Sequence, residues 1–138
     1  NAFRRLKPNN NVPVSPSWGY ENRSVAVRVP NSDAKNQRIE YRLAGADANP
    51  YLALAVVLTG IHRGLQEKPD CAAPTEDLTT EPFGLPTDFL EALRVTEASD
   101  VLKDYLGDEF IPIYCAQKRS EVETFEAAIS AREYEWYL

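Results

Sequence analysis

Metal and redox chemistry have few residues to work with in this chain. It holds one histidine, His62, only two cysteines and no methionine. Cys71 and Cys115 lie in unrelated segments, with no His or Cys at metal-ligand spacing. That speaks against a zinc site and predicts two free thiols, as in a cytoplasmic protein. No apolar run is long enough to cross a bilayer, and no secretory leader is legible. Internal repeats and a glycine-rich phosphate loop are also absent. The lack of methionine, the abrupt start Asn1-Ala2-Phe3-Arg4-Arg5 and the end Trp136-Tyr137-Leu138 predict the C-terminal part of a larger protein.

What is present is unevenly distributed. The 138 residues suffice for one domain with a real core. Net charge is −6. Residues 1–42 carry eight Lys/Arg against three Asp/Glu, a net of +5, and residues 43–138 carry seven against eighteen, a net of −11. A basic patch in an acidic chain fits small anionic ligands. Nucleic acid calls for a broader basic surface with interleaved aromatics, so neither nucleic acid nor membrane is an expected partner.

The basic part centres on Arg38-Ile39-Glu40-Tyr41-Arg42. Strict polar/apolar alternation predicts a half-buried strand, with Arg38, Glu40 and Arg42 on one face and Ile39, Tyr41 and Leu43 on the other. Two readings fit this triplet: a wet sheet face crossed by ion pairs, or a seat for an anion beside a divalent cation. Upstream, Ser24-Val25-Ala26-Val27-Arg28-Val29 alternates in the same way and ends at Pro30. Its Val25, Val27 and Val29 are the predicted core face. Arg23 breaks that alternation, so it sits before the strand or beside a bulge. The polar turn 31–37 then makes a hairpin that gathers Arg28, Lys35, Arg38 and Arg42 around Glu40. Four cations around one carboxylate favour the anion seat, because like charges repel unless an anion lies among them. Before the hairpin, Pro8-Asn9-Asn10-Asn11-Val12-Pro13 reads as a loop, either a mobile flap or a plain connection.

After Gly45 the pattern turns helical. Asp47 or Asn49 caps a helix over 51–66 with Pro50 in its first turn, and its nearly all-round apolar surface predicts burial among partners. Gly60 and Gly64 allow close packing there, and the role of His62 near its end is read as structural. Residues 67–86 read as a long surface loop. Thr87 and Ser99 are predicted caps of two short helices, the second stopping at Gly107. A long final helix follows through Ile129, with a break at Pro112. The fold class is therefore α+β: antiparallel strands in a basic part, 1–43, followed by packed helices in 44–138.

Three stretches together resemble the C-terminal part of the glutamine synthetase catalytic domain. They are Asn1-Ala2-Phe3-Arg4-Arg5-Leu6-Lys7-Pro8, then Asn22-Arg23-Ser24 through Arg28-Val29-Pro30, then Arg38-Ile39-Glu40-Tyr41-Arg42 through Asn49-Pro50-Tyr51-Leu52. The likeness continues through Gly107-Asp108-Glu109-Phe110 and Lys118-Arg119-Ser120-Glu121, and so covers residues 1–138. The resemblance implies ATP-dependent joining of an amine to the γ-carboxylate of glutamate through a γ-glutamyl phosphate. It assigns Arg5, Arg23 and Arg42 to glutamate, and Arg23, Arg28, Lys35 and Arg38 to ATP. Arg23 becomes the catalytic cation at the transferring phosphoryl group, and Glu40 a ligand of Mg²⁺ or Mn²⁺. A homo-oligomer, dodecameric in the family, is also implied.

Ammonia-using members carry a flap glutamate where this chain has Asn11. Together with Pro16-Ser17-Trp18-Gly19-Tyr20-Glu21-Asn22-Arg23 and Ala44-Gly45-Ala46-Asp47-Ala48, this is similar to the γ-glutamylpolyamine (glutamate–putrescine) synthetase branch. A polyamine is then the expected nucleophile. A glutamine synthetase using ammonia and a non-catalytic structural relative are the alternatives.

Overall fold

The computed structural model describes residues 2–8, 11–76 and 84–137. Asn9 and Asn10 of the expected flap, and residues 77–83 of the expected loop, lie outside them. The chain forms two compact units, Asn1–Asp88 and Phe89–Leu138.

The first unit begins with a single helical turn, α1 (Ala2–Arg5), and is built on a three-stranded sheet in the order β1 (Trp18–Tyr20), β2 (Val27–Val29), β3 (Glu40–Tyr41). β2 and β3 form the expected antiparallel hairpin, with Val27 opposite Tyr41 and Arg28 opposite Glu40. β1 adds a parallel neighbour that local pattern did not reveal, pairing Trp18 with Val27 and Tyr20 with Val29. The strands are shorter than expected. One cause is local: the Asn22 side-chain oxygen accepts from the Ser24 N–H (2.8 Å) and hydroxyl (2.7 Å), a turn that competes with the ladder. This turn also places Arg23 ahead of the strand, as one of the two expectations had it. Val25 is fully buried, but so are Ser24 and Ala26, which alternation had assigned to the other face.

Residues 68–76 form a surface loop, as expected, and its segment 72–76 is tied to β1. The Thr75 N–H donates to the Trp18 carbonyl at 2.7 Å, and the Trp18 indole N–H donates to the Ala72 carbonyl at 2.7 Å. Gly19 is required by this approach, since a Cβ there would stand 2.5 Å from the Thr75 carbonyl oxygen.

α2 (Pro50–Glu67) starts as expected. Asn49 is its N-cap, accepting from the N–H groups of Tyr51 and Leu52 at 3.0 and 3.3 Å, with Pro50 at the first position. Its expected burial among partners is not met within the described residues. Among the described residues only Thr59 of this helix is buried, while Tyr51, Leu54, Leu58, Ile61 and Leu65 are exposed. His62 is also exposed. Gly60 and Gly64 have no described heavy atom within 4 Å of where a Cβ would stand. An apolar helix is buried only where a facing surface exists, and helical periodicity cannot supply one.

The second unit is helical: α3 (Phe89–Ala98), α4 (Asp100–Leu106), α5 (Phe110–Glu126) and α6 (Ala131–Tyr137). Leu93, Ile111 and Cys115 form its core, packed by Phe89, Leu102, Leu106 and Tyr114. Ser99 caps α4 through the Leu102 N–H, and Gly107 ends it at φ +97°, a conformation suited to glycine. Two expectations fail here. Pro112 does not break α5, because it is the third helical residue, where an N–H has no intrahelical acceptor. The final helix instead stops at Glu126 and restarts at Ala131. That restart is a capping box: the Glu133 N–H donates to the Ser130 hydroxyl, and the Ser130 N–H donates to the Glu133 carboxylate at 2.7 Å. Both thiols are free, Cys71 exposed and Cys115 buried, and burial raises the pKa of Cys115.

Candidate active site

Strand register builds the site. Because Arg28 faces Glu40 across the β2–β3 ladder, the Arg28 guanidinium reaches Glu40 Oε2 at 3.0 Å. Two residues either side of Glu40 along the chain, Arg38 reaches Oε1 at 3.2 Å and Arg42 approaches Oε2 at 3.9 Å. Three of the four expected cations therefore converge on Glu40. Lys35 does not appear among them. It lies in the exposed turn, where Asp33 Oδ1 accepts from the Lys35 N–H at 3.1 Å.

The charged face of this hairpin is partly buried, although Arg38 at its edge is 53% exposed. The side chains of Arg28, Arg42 and Glu40 are only 14%, 22% and 28% exposed. Ile39 and Tyr41, the intended apolar face, are 54% and 42% exposed. Burial raises the Glu40 pKa, but hydrogen bonds and charge from Arg28 and Arg38 outweigh it and hold the carboxyl below its ordinary value.

The remaining predicted residues join through backbone. The Arg42 guanidinium donates to the carbonyls of Arg23 (2.9 Å) and Asn11 (3.2 Å). Asn11 itself sits at φ +50°, the left-handed conformation that asparagine tolerates. Arg5, at the end of α1, donates to the carbonyls of Arg42, Leu43 and Ala44 at 3.1–3.3 Å. Arg5, Arg23 and Asn11 are all exposed, at the border of the half-buried charges.

Sequence reasoning missed Glu21. Its carboxylate pairs with the other arm of Arg28 at 2.9 Å and also accepts from the Asn31 N–H. That backbone hydrogen bond, followed by the one from Arg28, lowers the Glu21 pKa. The available signal was scarcity, since Glu21 is one of only three acids in the first 42 residues.

Three guanidiniums, of Arg28, Arg38 and Arg42, thus gather about the carboxylates of Glu40 and Glu21. Among the described residues the buried Nε–H groups of Arg28 and Arg42 find no acceptor, and the buried Ser32 hydroxyl finds no partner. Buried donors without acceptors are costly, so the arrangement is suited to an oxyanion. Beside it lies an open cavity of about 710 Å³, lined by residues including Tyr20, Val29, Asn31, Ser32, Arg38 and Ile39. A divalent cation is less well served. Glu40 is one hard oxygen donor, both its oxygens already meet arginines, and no three His, Cys, Asp or Glu gather among the described residues. Such a cation takes about six oxygen ligands, so this chain fits as the donor of one.

Comparison with known proteins gives this arrangement a family. Residues 1–137 match the model described as "Glutamine synthetase, catalytic domain". The chain is 41% identical over 140 residues to the gamma-glutamylputrescine synthetase of Escherichia coli K12, covering all of this chain and 30% of that protein. It is 34% identical over 133 residues to the gamma-glutamylethanolamide synthetase of Streptomyces coelicolor, covering 94% of this chain and 28% of the relative. A glutamine synthetase of Pyrococcus furiosus is 40% identical over 120 residues, covering 80% and 27% respectively. The chain thus spans less than a third of the length of these curated relatives. It belongs to the glutamine synthetase family.

Proposed function

We propose that the protein carrying this chain is an ATP-dependent ligase joining the γ-carboxylate of glutamate to putrescine or a related polyamine. Residues 1–138 are then the C-terminal part of its catalytic domain. The observation that carries this reading is the convergence of Arg28, Arg38 and Arg42 on Glu40, with two buried Nε–H donors that find no acceptor among the described residues. Phosphoryl transfer is catalysed chiefly by positioned cations that neutralise developing charge on phosphoryl oxygens.

In this reading Arg5, Arg23 and Arg42 bind glutamate, Arg28, Lys35 and Arg38 bind the nucleotide phosphates, and Arg23 also stabilises the phosphoryl group in transfer. Mg²⁺ or Mn²⁺, when bound, supplies charge that bridges phosphate and substrate oxygens, and Glu40 is the donor this chain offers it. The other donors come from outside these residues, as does any further subunit of the family's oligomers. Asn11 supports the polyamine. It puts a neutral side chain where ammonia-using members of the family have a carboxylate, and its carbonyl is tied to Arg42. The relative named for putrescine supports it independently.

The test is phosphate release by the full-length protein with ATP, Mg²⁺ and glutamate, comparing ammonium with putrescine. Turnover with putrescine and little with ammonium is expected. Strong turnover with ammonium would make it a glutamine synthetase, and no turnover with either amine a structural relative. The 138-residue chain alone is expected to release no phosphate.

A further inference from the structure

Glu21 stands in a place where simple electrostatics would not put it. It lines the 710 Å³ cavity beside Arg38, so its charge opposes any phosphate that enters. It also sits at φ +53°, a region that residues other than glycine rarely occupy. Such conformations persist only where the surroundings over-determine them. Here they do. The Glu21 N–H donates to the Val29 carbonyl at 3.1 Å, continuing the β1–β2 pairing past Tyr20. The next residue, Asn22, donates to the Thr75 carbonyl at 2.9 Å while its oxygen holds Ser24.

The consequence is that the Glu21 carboxylate, although more than half exposed, holds two things at once. One oxygen pairs with Arg28 at 2.9 Å, and the other accepts from the Asn31 N–H. Arg28 is thereby stretched between Glu21 and Glu40 with both arms engaged, and its Nε–H is left as the buried donor. Asn31 opens the turn that carries Lys35 and leads to Arg38.

We infer that Glu21 is a positioning residue: by bridging the Arg28 guanidinium and the Asn31 N–H, it presets the cavity wall at Asn31, and the arginine next to that cavity, for a nucleotide polyphosphate. The inference rests on the ligase reading above. It also gives a sign. A carboxylate that merely repels phosphate would, on removal, tighten nucleotide binding, whereas one that positions Arg28 would, on removal, weaken it.

Glu21→Gly is the discriminating variant, because glycine accepts φ +53° freely and the fold should be no less stable. In the full-length protein, KM for ATP is expected to rise about tenfold, with KM for glutamate within about twofold of wild type. The increase in Tm produced by ADP with Mg²⁺ should shrink in the same variant. Glu21→Gln, which keeps an acceptor for Asn31 but loses the charge on Arg28, should fall between the two. An unchanged or lowered KM for ATP in Glu21→Gly would overturn the inference, as would both KM values rising together with a fall in Tm. If wild type releases no phosphate with any amine, the ligase reading fails first and this inference falls with it.

Discussion

The two units of this chain use charge in opposite ways. Among the described residues of the helical unit, ion pairs match one cation with one carboxylate: Lys103 with Asp100, Lys118 with Glu121, Arg119 with Glu97, Arg132 with Glu135. The same unit has an apolar core of Leu93, Ile111 and Cys115. In the sheet unit Arg28, Arg42 and Glu40 are half-buried, arginines outnumber carboxylates around Glu40, and Ile39 and Tyr41 are on the outside. Balanced pairs at a surface need nothing further. An unbalanced and partly desolvated set is complete only with an added anion, which is why the sheet unit, not the helical one, carries the proposed chemistry.

That contrast breaks most sharply at Glu40. Glu40→Ala in the full-length protein should lower metal-dependent turnover by at least about 100-fold, measured as phosphate release, while leaving assembly intact by size-exclusion chromatography. Normal turnover would return Glu40 to a plain ion pair. Leu93→Ala tests the other unit. It should destabilise the helical unit by about 2–5 kcal/mol in urea unfolding, with KM for ATP unchanged in the protein that remains folded. A raised KM there would mean that the two units are not separable in function.

Smaller effects sharpen the picture. Ser130→Ala removes half of the capping box and should cost about 1 kcal/mol, read as lost helicity in α6. The smallest effect belongs to the partly buried Glu97–Arg119 pair. The hydrogen bond from Arg119 lowers the Glu97 pKa from its ordinary 4.5. Its stabilisation is therefore present above pH 4.5 and is lost as pH falls through the lower folded value. Glu97→Gln should flatten the acid side of the stability curve slightly, and an unaltered curve would show that the pair contributes nothing.

Several features are legible in the amino-acid sequence because they depend only on near neighbours along the chain. Asn49 and Ser99 as caps, Pro50 at the first helical position and Gly107 as a stop are local chemistry, and each is found as expected. Ser130-x-x-Glu133 is equally local, and the break at 127–130 is visible once that signature is read. Pro112 misleads because its effect depends on whether it falls inside or at the start of a helix. β1, the 72–76 segment and the exposed face of α2 were out of reach, since each depends on what lies opposite.

The same division runs through the site. Residue types and a two-residue repeat sufficed to place Arg38, Glu40 and Arg42 on one side of a strand, because side chains of an extended chain must alternate. Which carboxylate meets which guanidinium was decided only by tertiary structure. The register of β2 against β3 sets Arg28 opposite Glu40, and a left-handed turn held from two sides swings Glu21 in beside it. Those contacts join residues through pairings between separate segments, and no rule confined to a local window of sequence contains that information.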